Sequence, residues 1–226
     1  MGQAIGEVLP LAIGVALSPL PIVAVVLMLV TVRAKANGPA FVLGWLIGLA
    51  AIGVIVLGLV GPADTTDDSG APATWISALK LVLGLLLVLV AVRQWRGRPG
   101  AEEDVPTPKW MGAIEQFTPV KALGTGIVLL GANPKNLLLA VAAGAAIGQT
   151  AIPGGEQAAA YAVFVLIGTV GVAAPVVIYL AMGDRSRSVL DRLKGWMIHN
   201  NAVVMAVLCL VIGAKLVGDA ISGFSA

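Results

Sequence analysis

A single histidine, His199, and a single cysteine, Cys209, are all that the chain offers of the two residue types that most often hold transition metals. A histidine-rich metal centre and an internal disulfide are therefore excluded, and Cys209, set in an apolar run, reads as a small core residue. Charge is scarce as well. Asp, Glu, Lys and Arg make up 12% of the 226 residues, where soluble domains carry about 25%. No polar stretch is long enough for a separate folded domain, the longest covering roughly residues 94–121. A nucleophile–base pair, a metal cluster and a phosphate loop are all missing. The sequence therefore specifies no enzyme, and neither a cofactor nor a nucleic-acid partner is expected.

What the chain has instead is hydrocarbon: 58% of its residues are hydrophobic and the mean hydropathy is +0.97. A helix needs about 20 apolar residues to cross a bilayer core. Six segments meet that need, at roughly 6–31, 39–60, 75–93, 122–148, 158–181 and 200–219. The first lacks the basic start of a signal peptide and holds Ser18, Pro19 and Pro21 near its centre, so it is read as a retained span.

Lysine and arginine number 2, 0, 5, 0 and 4 in the five successive loops. The odd-numbered loops are then cytoplasmic by the positive-inside rule, and both termini are expected outside, in a multi-pass protein of the plasma membrane. Trp75, Trp95 and Trp196 fall near span ends, as interfacial tryptophans do. In the third loop, RGRPGAEEDVPTP (96–108) reads as a flexible linker. KWMGAIEQFTPVK (109–121) spaces Trp110, Ile114 and Phe117 for a short helix in the inner interface.

The chain repeats itself. LPLAIGVALSP (9–19) resembles LGTGIVLLGANP (123–134), FVLGWLIG (41–48) resembles YAVFVLIG (161–168), and LVLG (81–84) resembles LVIG (210–213), in the same order. Three spans per half is an odd number, so the second half enters the membrane from the other side. The expected fold is an all-α polytopic membrane protein with six transmembrane helices in a 3+3 inverted-topology repeat. Its parts are a first repeat (1–95), a cytoplasmic linker with its interfacial helix (96–121) and a second repeat (122–226). Such repeats place binding sites at the midplane, between discontinuous helices.

Spans 1 and 4 are expected to break there. Ser and Asn favour the N-cap and Pro the first helical position, so Ser18-Pro19 and Asn133-Pro134 each read as a helix starting inside the membrane. Each start presents unpaired N–H groups and the positive end of a helix dipole, which together suit an anion. Lys135 adds an ammonium at mid-depth with no acidic residue near it in sequence, and Asn136 adds a donor or acceptor. The plainer reading is that Lys135 snorkels or pairs with a carbonyl to hold a kink. Glu7, Lys80, Lys215 and Asp219 are read as interfacial, and His199, Asn200 and Asn201 as the inner cap of span 6. Gly14, Gly44, Gly48, Gly84, Gly144, Gly168 and Gly213 are read as close-packing positions.

With SPLP in span 1, NPKN in span 4 and the stretch PKWMGAIEQFTPVKALGTG before it, the chain resembles the LysE exporter superfamily. Within it the chain is similar to the GAP branch, the sulfolipid-addressing-protein-like proteins of actinobacteria. The resemblance covers nearly the whole chain. It implies Ser18, Pro19, Pro21, Asn133, Pro134, Lys135 and Asn136 as substrate-binding motif residues, and the movement of an anionic lipid or glycolipid toward the cell surface. The alternatives are export of small polar solutes such as amino acids or ions, and a non-transporting accessory role beside a larger lipid exporter or synthase. Candidate partners are an anionic lipid or small anionic solute, membrane lipids and a second copy of the chain. No carboxylate lies at mid-depth, so coupling to protons through one has no candidate.

Overall fold

The computed structural model describes residues 1–59, 74–98, 114, 116–150 and 152–224, with the backbone alone for Asp184, and its regular structure is all helical. The helices are α1 (Gly2–Ala16), α2 (Pro19–Leu29), α3 (Ala34–Leu59), α4 (Thr74–Arg96), α5 (Pro119–Ala132), α6 (Pro134–Gly148), α7 (Gly154–Met182) and α8 (Arg187–Phe224). A single 3-10 turn, Gly183–Ser186, joins α7 to α8. Gly183 stops α7 by taking φ 56°, a left-handed conformation that glycine adopts without a Cβ clash.

α3, α4, α7 and α8 are each long and apolar enough to span a membrane. α1 with α2, bent by 51°, and α5 with α6, bent by 77°, pass the same test as pairs, which gives six spans if each pair is one. The chain is thus a multi-pass helical membrane protein.

One helix runs well past its expected bounds. α8 has 38 residues and begins at Arg187, not near residue 200. His199, Asn200 and Asn201 therefore do not cap a helix; they lie inside one, and Asn200 Nδ2 donates back to the Trp196 carbonyl at 2.9 Å. The reason is local. Leu190 and Met197 are spaced seven residues apart on a buried face while Asp191 and Arg192 stay exposed, so an amphipathic helix continues beyond the apolar run.

The expected helix over 109–121 falls largely on residues outside those described, as do most of the linker 96–108 and Asp64, Asp67 and Asp68. Arg96, placed in that linker, is the last residue of α4. Of the remainder, Ile114 is buried. Thr118 caps α5, its Oγ1 accepting from the Lys121 N–H at 3.4 Å. Asn37, buried near the start of α3, donates from Nδ2 to the Phe117 carbonyl at 2.9 Å and ties the entry of α5 to α3.

Small residues let the helices approach. At the α4–α8 crossing, a methyl on Gly84 would stand 2.9 Å from the Gly213 oxygen, and one on Gly213 2.9 Å from the Gly84 oxygen. A methyl on Gly44 of α3 would collide with the Leu123 carbonyl of α5, and one on Gly171 of α7 with the Ala16 carbonyl of α1. Each of the seven glycines read as close-packing has a neighbour within 4 Å of its missing Cβ. α1 packs on α7 as α5 packs on α3, and α2 packs on α7 as α6 packs on α3.

The four charged residues read as interfacial come together in one cluster. Lys215 Nζ contacts Glu7 Oε2 at 2.7 Å and Asp219 Oδ2 at 2.6 Å. Lys80 is buried beside all three, not spread at the surface. Pairing between α1 and α8 offsets the partial burial of these charges, a burial that is costly for a lone charge in an apolar medium.

Candidate functional site

Both helix breaks occur at a proline, for the same reason. Pro19 and Pro134 have no N–H to continue the i→i−4 ladder, and each takes the first position of a new helix. The residues before them, Ser18 (φ −100°, ψ 104°) and Asn133 (φ −92°, ψ 104°), are extended as helix N-caps are. The side chains then act differently. Asn133 Oδ1 accepts from the Lys135 N–H at 3.1 Å and caps α6. Ser18 makes no cap bond; its hydroxyl donates across the bundle to Asn136 Oδ1 at 2.7 Å. The two breaks are therefore in contact.

Lys135 is fully buried. Its ammonium donates to the Gly14 carbonyl at 2.7 Å and reaches the Leu17 carbonyl at 3.5 Å. Those oxygens are available because α1 stops there, leaving its last carbonyls without partners in the helix. A cation in the first turn of α6 faces the positive end of its own helix dipole. By reaching the negative end of α1 it gains the opposite interaction. Among the described residues no carboxylate pairs with Lys135.

Asn136 Nδ2 is buried and has no partner among the described residues. An unmet donor costs about 1–3 kcal/mol, so this one marks a place where an acceptor belongs. The ammonium, whose three protons exceed its one short bond, adds to this donor; in the first turns of α2 and α6, where Pro19, Pro21 and Pro134 have no N–H and Asn133 takes that of Lys135, the N–H groups of Leu20 and Asn136 remain. The chemistry on offer is retention of a negatively charged or strongly accepting group. Pro19 and Pro21 are buried in the first turn of α2, and Pro21 enters no polar contact here.

A cavity of about 320 Å³ reaches the second break. It is lined by Leu20 of α2, Val90 and Gln94 of α4, Leu129 and Ala132 of α5, Asn133, Pro134, and Asn201 and Met205 of α8. Its lining includes Asn133 and Pro134 but not Ser18, Lys135 or Asn136. Sequence reasoning missed Gln94 and gave Asn201 a capping role. The available signal was an amide near the end of an apolar span, which has few uses in lipid apart from a polar cavity. The pairing of Lys135 with a carbonyl, held open as the plainer reading, is what the structure shows, but the sequence could not name Gly14 and Leu17, since backbone groups have no signature beyond the break that frees them. A second, apolar groove of about 430 Å³ runs between α4 and α8 from Trp95 and Arg96 to Leu210.

No curated protein and no solved structure matches the chain. The family model described as Sap, sulfolipid-1-addressing protein, matches residues 8–222, all but the ends of the chain, and the chain belongs to that family.

Proposed function

We propose that the protein is a transporter that moves an anionic lipid or glycolipid, of the sulfolipid kind its family is named for, across the plasma membrane toward the cell surface. The observation that carries this reading is the meeting of the two breaks: Ser18 bonded to Asn136, Lys135 beside them, and a buried amide donor left without an acceptor. An anionic headgroup supplies that acceptor and suits the paired helix starts. Its acyl chains stay in the bilayer while the head crosses.

The reading includes a 3+3 inverted repeat, with spans 1 and 4 broken near the midplane and the Arg-rich loops inside. Three contacts support it. When the two similar stretches are aligned at Pro19 and Pro134, Val15 matches Leu130. A methyl on Gly168 would stand 3.2 Å from Val15, and one on its repeat partner Gly48 3.0 Å from Leu130. Gly84 and Gly213, also repeat partners, approach each other reciprocally. Helices related this way can rock about the fixed site, which is how such repeats alternate access.

The Lys135 contacts favour a second reading too, in which the ammonium only braces α1 against α6. The test is flux in proteoliposomes holding the purified protein, with a fluorescent anionic glycolipid, a zwitterionic lipid and a small anionic solute as separate arms. Movement of the anionic lipid, lost in Lys135→Ala, is expected. Unchanged flux in that variant leaves only the brace. A wild-type protein that moves nothing in any arm favours the accessory role.

A further inference from the structure

We propose that the cavity at the second break binds a monovalent cation on the C-terminal carbonyls of α5. The inference uses the repeat relation stated above, and otherwise stands apart from the headgroup seat.

Counting from each proline, Leu20 corresponds to Lys135, Leu129 to Gly14 and Ala132 to Leu17. At the first break, the ammonium of Lys135 sits on the carbonyls of Gly14 and Leu17. At the second break the chain provides the matching helix end but no matching cation, because a leucine stands where the lysine would be. The matching position is open: Leu20, Leu129 and Ala132 all line the 320 Å³ cavity. Among the described residues no backbone N–H bonds the Ala132 carbonyl across the break, and the last turn of any helix ends in carbonyls that lack partners within it. The same structural position is thus filled by a built-in ammonium in one half and by space in the other.

The remaining polar lining defines the guest. Gln94 and Asn201 are neutral amides, Asn133 Oδ1 is already held by the Lys135 N–H, and among the described residues no carboxylate lines the cavity. Groups of three or more His, Cys, Asp or Glu are absent among the described residues. Divalent cations need carboxylates to offset their dehydration, whereas neutral carbonyl and amide oxygens at the negative end of a half-helix suit a singly charged ion. The volume equals about ten waters, room for an ion that keeps part of its hydration or for a small ammonium compound. A cation here also gives a transporter without a mid-depth carboxylate a means of coupling.

The test is thermal unfolding of the full chain in nanodiscs, titrated with NaCl, KCl or methylammonium chloride against N-methylglucamine chloride at equal ionic strength. A saturable rise in Tm with at least one small cation and none with N-methylglucamine is expected. A response to the alkali ions identifies an inorganic ion, and a response to methylammonium alone an amine-bearing guest. Leu20→Lys places an ammonium where the repeat predicts one, and it should abolish the response while raising Tm in the absence of small cations. Asn201→Leu and Gln94→Leu should each move half-saturation upward by tenfold or more, and they serve if Leu20→Lys does not fold. Identical curves for all four salts in the wild type overturn the proposal. So does a folded Leu20→Lys, or in its place Asn201→Leu with Gln94→Leu, that responds as the wild type does. None of these outcomes bears on the Lys135 seat, which lipid flux measures separately.

Discussion

Ser18 and Asn136 lie 118 residues apart in the chain, yet the hydroxyl of one donates to the amide oxygen of the other at 2.7 Å, with both side chains buried. Each belongs to a different helix break, so this bond joins the two places where the backbone ladder is interrupted. Ser18→Ala leaves Asn136 Oδ1 without a donor, and Asn136→Ala leaves the hydroxyl without an acceptor. Side-chain bonds between membrane helices couple by about 0.6 kcal/mol on average and up to about 1.7. A double-mutant cycle read by SDS-induced unfolding should fall in that range. Strict additivity would mean that the two breaks are not linked through this bond.

The α4–α8 crossing gives a prediction about packing alone. At Gly84 and Gly213 a methyl group meets a backbone oxygen, which cannot rotate away as a side chain can. Gly84→Ala should destabilise by about 1–3 kcal/mol, the usual cost of overpacking. Gly44→Ala, aimed at the Leu123 carbonyl, should be worse. Gly58 and Gly124 have open space at the same position, and alanine there should be silent in the same unfolding assay. Equal behaviour of all four variants would remove glycine packing from the account of this fold.

The sequence displayed the breaks plainly because proline and N-cap chemistry are local, and the structure starts α2 and α6 at Pro19 and Pro134. It also displayed the close-packing glycines, since a glycine inside an apolar helix has few other purposes. It allowed a carbonyl partner for Lys135 but did not say which, the carbonyls being those of Gly14 and Leu17 at the end of α1, and it did not display the joining of Glu7 to Lys215 across 208 residues. It misplaced the start of α8 because residues 187–199 are polar enough to resemble a loop, and their helical periodicity carries weaker contrast than the apolar run that follows. Asn37 gave no sign at all, since its partner is the carbonyl of Phe117.

The Glu7–Lys215–Asp219 cluster is about one-third exposed. Single exposed or half-exposed pairs contribute about 0–1 kcal/mol, so Glu7→Gln should be mild. Lys215→Met should cost more, because it removes the cation that both carboxylates contact. High salt should narrow the gap between the two variants by screening whatever repulsion remains. Melting curves at low and high ionic strength measure both effects. Lys215→Met behaving like Glu7→Gln at low salt would show that the cluster does not act as a unit.

Asn136→Asp separates the seat from the brace. The substitution keeps an oxygen for Ser18 to donate to, and it keeps Lys135 with its hold on Gly14. It removes the orphaned Nδ2 donor and places a carboxylate next to the ammonium in a low-dielectric interior, where an opposite charge at close range is strongly favoured. Stability should therefore be retained or raised. Affinity for an anionic headgroup should fall by at least tenfold, since the seat is then filled by its own counter-charge. Lys135→Met is the complement: it leaves the Gly14 and Leu17 carbonyls without the ammonium and should lower stability by about 1–3 kcal/mol while also abolishing flux. If Lys135 is a brace alone, Asn136→Asp transports anionic lipid as well as the wild type does, and only Lys135→Met is impaired. Paired measurements of melting temperature and lipid flux on these two variants decide between the roles, because the seat requires the losses of flux and of stability to separate in Asn136→Asp and to coincide in Lys135→Met.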